Sequence, residues 1–299
     1  MSESRPRGRK PSWLRMPTMG STEAARVRAV LRRHSLETVC SNARCPNMGH
    51  CFQRGTATFL ILGSICTRAC RYCAIEKTRE TPPPPDPSEP ERLADAAFEM
   101  GLRYVVITSV TRDDLPDGGA GHFAASVTAL RSRIPGIVVE VLTPDFKGEQ
   151  DALSVIASAL PDVFNHNLET VEDLFPSVRP GASYRLSLEV LKAYHRLRPE
   201  TPVKSGLMLG LGESNDGIRR SLDDLLQAGV SMLTLGQYLQ PTGEHWPVDR
   251  YLTPEVFLDW KEYAKSAGFS SVASGPLVRS SFHADVSFGV ESLREESGL

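Results

Sequence analysis

The sequence predicts an α/β chain built on parallel strands, and three observations carry that expectation. From residue 91 onward, short β-branched runs alternate with amphipathic segments of helical length, the pattern of repeated βα units. Polar, glycine-rich stretches follow several of these runs directly, as expected where strand ends carry a site. All six cysteines of the 299-residue chain fall between residues 40 and 73, around the loop that follows the first run.

The candidate strands, in order, are 58–62 (Thr-Phe-Leu-Ile-Leu), 104–108 (Tyr-Val-Val-Ile-Thr), 137–142, 163–167, 204–209 and 232–235. Each is four to six residues long and bounded by turn residues or glycine. The candidate helices are 91–100, 123–133, 151–160, 184–197, 216–228 and 254–267, which makes six βα units. Between the cysteines and the first helix lies Thr81-Pro82-Pro83-Pro84-Pro85-Asp86-Pro87. Successive prolines hold this stretch extended, as a surface connection rather than a helix or central strand. A curved partial barrel and a doubly wound sheet both satisfy the alternation, and periodicity alone does not choose between them. In either, the polar stretches 109–121, 165–170, 210–213 and 237–244 and the cysteine loop 64–73 fall on one strand edge.

Composition is that of an ordinary globular protein, with 40% hydrophobic and 23% charged residues. No apolar run approaches the roughly 18 residues that cross a bilayer, and the basic N-terminus is not followed by a signal-like apolar stretch. A cytoplasmic location with no membrane association is therefore expected. Thiols stay reduced there, so clustered cysteines read as metal or cluster ligands rather than disulfides. The first 35 residues carry nine Lys or Arg against Glu3 and Glu23. This basic stretch reads as a solvated, partly disordered tail, with a docking arm for an acidic partner as the alternative. Only Trp13 interleaves aromatic character with it, so no nucleic acid is expected.

The cysteines form two triplets, Cys40-x4-Cys45-x5-Cys51 and Cys66-x3-Cys70-x2-Cys73. Neither spacing is that of a ferredoxin run or a zinc knuckle, and a fourth Cys or His at the usual zinc spacing is lacking. Three thiolates on a 4Fe-4S cluster leave one iron open to something exchangeable. Gly210-Leu211-Gly212 fails the dinucleotide pattern, and no phosphate loop is present. Met208 reads as core and His166 as a hydrogen-bonded structural residue. Asp113 and Asp114 are either contacts to a ligand or turn carboxylates bonding their own backbone.

The segment Cys66-Thr67-Arg68-Ala69-Cys70-Arg71-Tyr72-Cys73, placed after the first strand of a βα array, resembles the signature of the radical S-adenosylmethionine superfamily. The resemblance implies a partial (β/α)6 TIM-type barrel and an open iron that chelates S-adenosylmethionine. It further implies reductive cleavage of that cofactor to a 5′-deoxyadenosyl radical. On this reading Tyr72, Asp113, Asn165, Glu169 and Lys204 are candidate cofactor contacts.

The first triplet, followed about 15 residues later by the second, resembles the lipoyl synthase family more narrowly. Similar too are Lys10-Pro11-Ser12-Trp13-Leu14-Arg15, the run from Asp113 to Ala120, Leu142-Thr143-Pro144-Asp145-Phe146, the run from Asn165 to Thr170, Lys204 to Met208, Leu235 to Thr242, and Arg279-Ser280-Ser281-Phe282-His283-Ala284. Phe282 departs from the family, which more often has Tyr there.

This second resemblance implies an auxiliary 4Fe-4S cluster on Cys40, Cys45 and Cys51, completed by Ser281 as fourth ligand, with Cys66, Cys70 and Cys73 holding the other. A hard oxygen on iron that prefers thiolate makes a corner that opens easily, as suits a cluster consumed as sulfur source. The implied reaction inserts sulfur at C6 and C8 of an octanoyl chain on a carrier-protein lysine. Implied partners are the octanoylated domains of 2-oxoacid dehydrogenase E2 and glycine cleavage H protein, reduced ferredoxin or flavodoxin, and an iron-sulfur cluster carrier. The expected organisation is an N-terminal cluster-binding extension (1–57), a barrel (58–274) and a C-terminal extension (275–299).

Overall fold

The computed structural model describes residues 10–15 and 20–289. Among them the strands are β1 (Glu37–Thr38), β2 (Thr58–Ile61), β3 (Ile65–Cys66), β4 (Glu76–Lys77), β5 (Tyr104–Ser109), β6 (Val138–Leu142), β7 (Val163–Asn165), β8 (Val203–Leu209), β9 (Met232–Gln237) and β10 (Ser271–Gly275). The main sheet runs β1-β2-β5-β6-β7-β8-β9-β10, and β3 pairs with β4 in a separate two-stranded ladder. From β2 to β10 every main-sheet pair is parallel, while β1 adds antiparallel to β2.

Strand order follows chain order without a reversal, which excludes the doubly wound alternative, since that fold requires a switch point. Leu60 of β2 and Gly236 of β9 line one cavity, so the sheet curls into a partial barrel open on one side. The helices are α1 (Thr22–Arg33), α2 (Val39–Asn42), α3 (Met48–Gln53), α4 (Glu89–Met100), α5 (Ala120–Arg133), α6 (Gln150–Ser158), α7 (Phe175–Val178), α8 (Tyr184–Leu197), α9 (Asn215–Gln227), α10 (Pro254–Ala267) and α11 (Ala284–Ser287). The six helices expected from periodicity are α4, α5, α6, α8, α9 and α10. Ser183 and Ser214 cap α8 and α9 by accepting from the Leu186 and Gly217 amides. Among the described residues no helix is long and apolar enough to cross a membrane.

Three sequence expectations are revised. A seventh parallel strand, β10, pairs with β9 from Ser271 opposite Met232 to Gly275 opposite Gly236. Its sequence, Ser-Val-Ala-Ser-Gly, lacks the β-branched density that marked the others, and it forms because β9 offers an unpaired edge. The strand expected over 163–167 ends at Asn165, where the chain turns out of the ladder. The basic stretch is no solvated tail over 22–33: α1 is capped by Ser21 and buries Ala24, Val27, Val30 and Leu31. Two of its arginines hold it against α4, Arg26 on Glu23 and on the Glu99 and Met100 carbonyls, and Arg33 on Glu99. The part of the expected docking arm in residues 1–9 lies outside the described residues.

Inside the barrel, Glu140 of β6 is fully buried and is met from three other strands. Lys204 Nζ on β8 stands 3.0 Å from both its oxygens, Tyr104 on β5 donates its hydroxyl at 2.6 Å, and Asn165 Nδ2 on β7 donates at 2.8 Å. Lys204→Met would leave the Glu140 carboxylate buried without its cation. The expected loss is about 3–5 kcal/mol of unfolding free energy in denaturant titrations, against less than about 1 kcal/mol for exposed Lys265→Met.

Candidate functional site: a cavity lined by both cysteine triplets

At the C-terminal strand edge a cavity of about 410 Å³ is lined by all six cysteines together with Ser281. Each ligand set is delivered by a different piece of chain. Cys66 ends β3, and its sulfur accepts from the Arg68 and Thr111 amides. The loop carrying Cys70 and Cys73 is pinned along its length: the Arg71 amide donates to Val178 O, the Trp246 amide to Arg71 O, and His245 Nε2 to Cys73 O at 3.1 Å. Arg68 clamps this loop to two neighbouring strand-end loops through Asp113 at 2.8 Å and Asp145 at 2.7 Å. Both carboxylates hold its guanidinium charged, raising its pKa against burial.

The first triplet is built by short helices ahead of the barrel. Cys40 lies in α2, which Thr38 caps by accepting from the Ser41 amide; the Cys45 amide donates to Cys40 O, and Cys51 lies in α3. Ser281 arrives from the far end of the chain. Asn47 Nδ2 donates to Leu277 O at 2.6 Å, Thr58 Oγ1 to Ser281 Oγ at 2.7 Å, and Ser280 Oγ to Asn167 Oδ1 at 2.8 Å, so three contacts tie the C-terminal segment to α3, to the start of β2 and to the loop after β7. Gly236 permits that approach, because a Cβ there would stand 2.1 Å from Val278 O.

The donor set fits iron-sulfur clusters on the structure's own terms. All six cysteines are free thiols. Burial pushes the thiols of Cys40, Cys51 and Cys73 up to about 11, 12 and 12, so these sulfurs stay protonated unless a metal displaces the protons. Among the described residues no three His, Cys, Asp or Glu side chains converge on one metal-ion position. The walls also hold buried polar atoms without a protein partner, namely Asn47 Oδ1, Ser109 Oγ, His166 Nε2 and Arg179 Nε. Such atoms keep hydrogen-bonding capacity that a polar ligand or water can use.

Of the candidate cofactor contacts, Tyr72 and Glu169 line this cavity. Burial raises the pKa of the Glu169 carboxyl above its ordinary value, against Arg179, Asn167 and Tyr72, which draw it down. Glu169 is held at φ +72°, a left-handed conformation that costs a non-glycine residue about 1–3 kcal/mol. Its N–H donates to Gly206 O at 2.8 Å and its C=O accepts from the Met208 amide at 2.9 Å, which keeps it there.

The other three candidates stand elsewhere. Lys204 and Asn165 belong to the Glu140 network beneath the cavity, and Asp113 faces a separate loop cavity of about 270 Å³ while holding Arg68. Asp114 pairs with the buried Arg112, so both carboxylates of that loop serve its architecture. Met208 packs against the core cluster of Val178, Leu211, Tyr238 and Val248, as expected, and also lines the cavity. His166 Nδ1 is 2.9 Å from Thr143 O and donates to it, consistent with a structural residue, while its orphan Nε2 borders the cavity.

Periodicity left Arg179 unmarked. It is buried, donates to the Asn167 and Leu168 carbonyls at 3.1 and 3.3 Å, and lies close enough to the Cys70 thiol to oppose the rise that burial imposes on its pKa. Arg279, noted only within its motif, lines the same cavity and interacts electrostatically with Cys45 and Glu169. Two cations thus border the thiolates and the carboxylate.

A family model described as the radical SAM superfamily matches residues 60–225. Lipoyl synthase of Methylococcus capsulatus is 56% identical over 278 residues, covering 93% of this chain and 86% of the relative. Lipoyl synthase of Stenotrophomonas maltophilia is 52% identical over 281 residues, covering 93% and 83%. Among solved structures, Streptococcus suis SuiB bound to S-adenosylmethionine superposes with a TM-score of 0.55 at 14% identity over 74% of this chain and 51% of that one. HydG from Carboxydothermus hydrogenoformans superposes with a TM-score of 0.57 at 13% identity, over 71% and 52%. These two show a shared fold, and this chain spans about half of either. The family match and the long, high-identity alignments, laid over a partial barrel whose strand-end cavity gathers both cysteine triplets, place the chain in the lipoyl synthase family of the radical SAM superfamily.

Proposed function

We propose that this chain inserts sulfur at C6 and C8 of an octanoyl chain carried on a protein lysine, with both triplets acting on one bound substrate. The observation that carries this reading is the single cavity shared by Cys40, Cys45, Cys51, Ser281, Cys66, Cys70, Cys73, Tyr72 and Glu169. When bound, a 4Fe-4S cluster at Cys66, Cys70 and Cys73 supplies the electron that cleaves S-adenosylmethionine, and an auxiliary cluster at Cys40, Cys45, Cys51 and Ser281 supplies sulfur.

The chain's own residues place and shield that chemistry. Arg68 holds the cysteine loop against the ends of β5 and β6 through Asp113 and Asp145. Tyr72, Glu169 and Arg179 form a polar edge for the amino, carboxylate and ribose groups of the cofactor. Leu60, Val110, Leu207 and Leu239 provide an apolar wall suited to an eight-carbon chain. The carrier delivers that chain through the barrel mouth, where Lys10 stands on the cavity rim.

In this reading residues 1–57 and 275–299 are extensions that close the barrel of 58–274 with the auxiliary ligands. The carriers are octanoylated E2 domains of 2-oxoacid dehydrogenases and the glycine cleavage H protein. Ferredoxin or flavodoxin supplies electrons, and an iron-sulfur carrier rebuilds the spent cluster.

The test is anaerobic reconstitution followed by incubation with an octanoyl-lysine peptide, S-adenosylmethionine and reductant. Mass spectrometry is expected to show a gain of two sulfurs with release of 5′-deoxyadenosine. Release of 5′-deoxyadenosine with no sulfur entering the peptide would refute the reading. Ser281→Cys is expected to retain both clusters by iron and sulfide analysis yet lose sulfur transfer, because a thiolate holds that corner more firmly than oxygen. Arg179→Gln removes a buried cation from the polar edge and is expected to weaken S-adenosylmethionine binding about 10- to 100-fold in equilibrium dialysis.

A further inference from the structure

Thr58 touches two of the four ligands assigned to the auxiliary site, although it is separated from them by 18 and 223 residues. The antiparallel pairing of β1 with β2 sets Thr38 opposite Phe59. Cys40, two residues beyond Thr38, is thereby brought against Thr58, one residue before Phe59. Thr58 lies beside the Cys40 thiol, and Thr58 Oγ1 donates to Ser281 Oγ at 2.7 Å. Thr58 is 5% exposed and sits at the first position of a ladder strand, so its hydroxyl has little freedom to turn elsewhere.

A serine oxygen serves as a ligand only when its side chain is held toward the metal position, and the Thr58 hydroxyl donates to Ser281 Oγ. We propose that Thr58 is the positioning residue of the oxygen corner: its hydroxyl holds Ser281 Oγ toward the Cys40 side. This inference rests on the reading that Ser281 ligates the auxiliary cluster.

The experiment follows iron release from the anaerobically reconstituted full-length protein to a ferrous chelator, with Mössbauer spectra of the same samples. Thr58→Val keeps the shape of the buried threonine and removes the hydroxyl, Thr58→Ala guards against crowding by the second methyl, and Thr58→Ser restores the donor. Thermal unfolding of each variant tests that the fold is kept. Release of the first iron is expected to be about tenfold faster in Thr58→Val and Thr58→Ala, as in Ser281→Ala, with loss of one spectral component. Thr58→Ser should restore both the rate and the spectrum. Wild-type release from Thr58→Val and Thr58→Ala beside fast release from Ser281→Ala overturns the role of Thr58 alone, as does a Thr58→Ser variant that behaves like Thr58→Val. Wild-type release and spectrum in Ser281→Ala overturn the ligation on which the inference rests.

Discussion

One buried carboxylate holds the barrel that everything else stands on. Glu140 takes hydrogen bonds from β5, β7 and β8 while sitting on β6, so four consecutive strands are tied at one level inside the curl. A charge at 0% exposure is tolerable only with its partners in place, and the Lys204 ammonium with two further donors supplies them. The site loops spring from the ends of those same strands: Thr111 to Asp114 after β5, Thr143 to Asp145 after β6, and His166 to Glu169 after β7. A network that sets the strands' relative heights also sets where Arg68 finds its two carboxylates and where Glu169 meets Arg179.

Above that floor the architecture solves a problem of chain connectivity. The two triplets are 15 residues apart at their nearest members, yet Ser281 is 230 residues beyond Cys51. The N-terminal helices and the C-terminal segment approach the cavity separately and are joined by Asn47 to Leu277 and Thr58 to Ser281. Each join is a hydrogen bond between segments remote in sequence, so the ligand set exists only when the barrel between them is complete. Buried thiols with raised pKa values place the same demand on metal: the site is unfavourable for ionised sulfur alone, and binding must couple to loss of protons.

Much of the barrel was legible because its signals are local. Alternating β-branched runs and amphipathic segments depend on neighbours a few residues away, and all six expected helices formed. β10 escaped notice because its stability comes from the edge of β9 rather than from its own residues. The α1 helix is hidden by its charge: five exposed or half-buried charged positions read as a solvated stretch, and only the fold sets Glu99 and the α4 backbone within their reach. In the cavity, Tyr72 and Glu169 were found because they lie beside recognisable motifs. Lys204 and Asn165 also lie in such motifs, but a strand residue faces either the floor or the mouth of a barrel according to its height along the strand. Theirs is the floor.

The sequence by itself determined that two sets of three thiols would sit near the first strand of a βα array, since cysteine spacing and strand periodicity are properties of short stretches. It also carried the family resemblance that joined Ser281 to one set. Only the tertiary structure decided which charged residues face the thiols. Arg179 and Arg279 are far from both triplets in the chain, and although Arg279 belongs to a recognisable motif, nothing in the neighbourhood of either says that it borders the thiols. Their place is settled by where the loop after α7 and the segment after β10 are allowed to pass, which the curl of the sheet and the room left at Gly236 dictate. Charge placement in a cavity is a consequence of chain crossing, and crossing is a long-range property that no window of sequence contains.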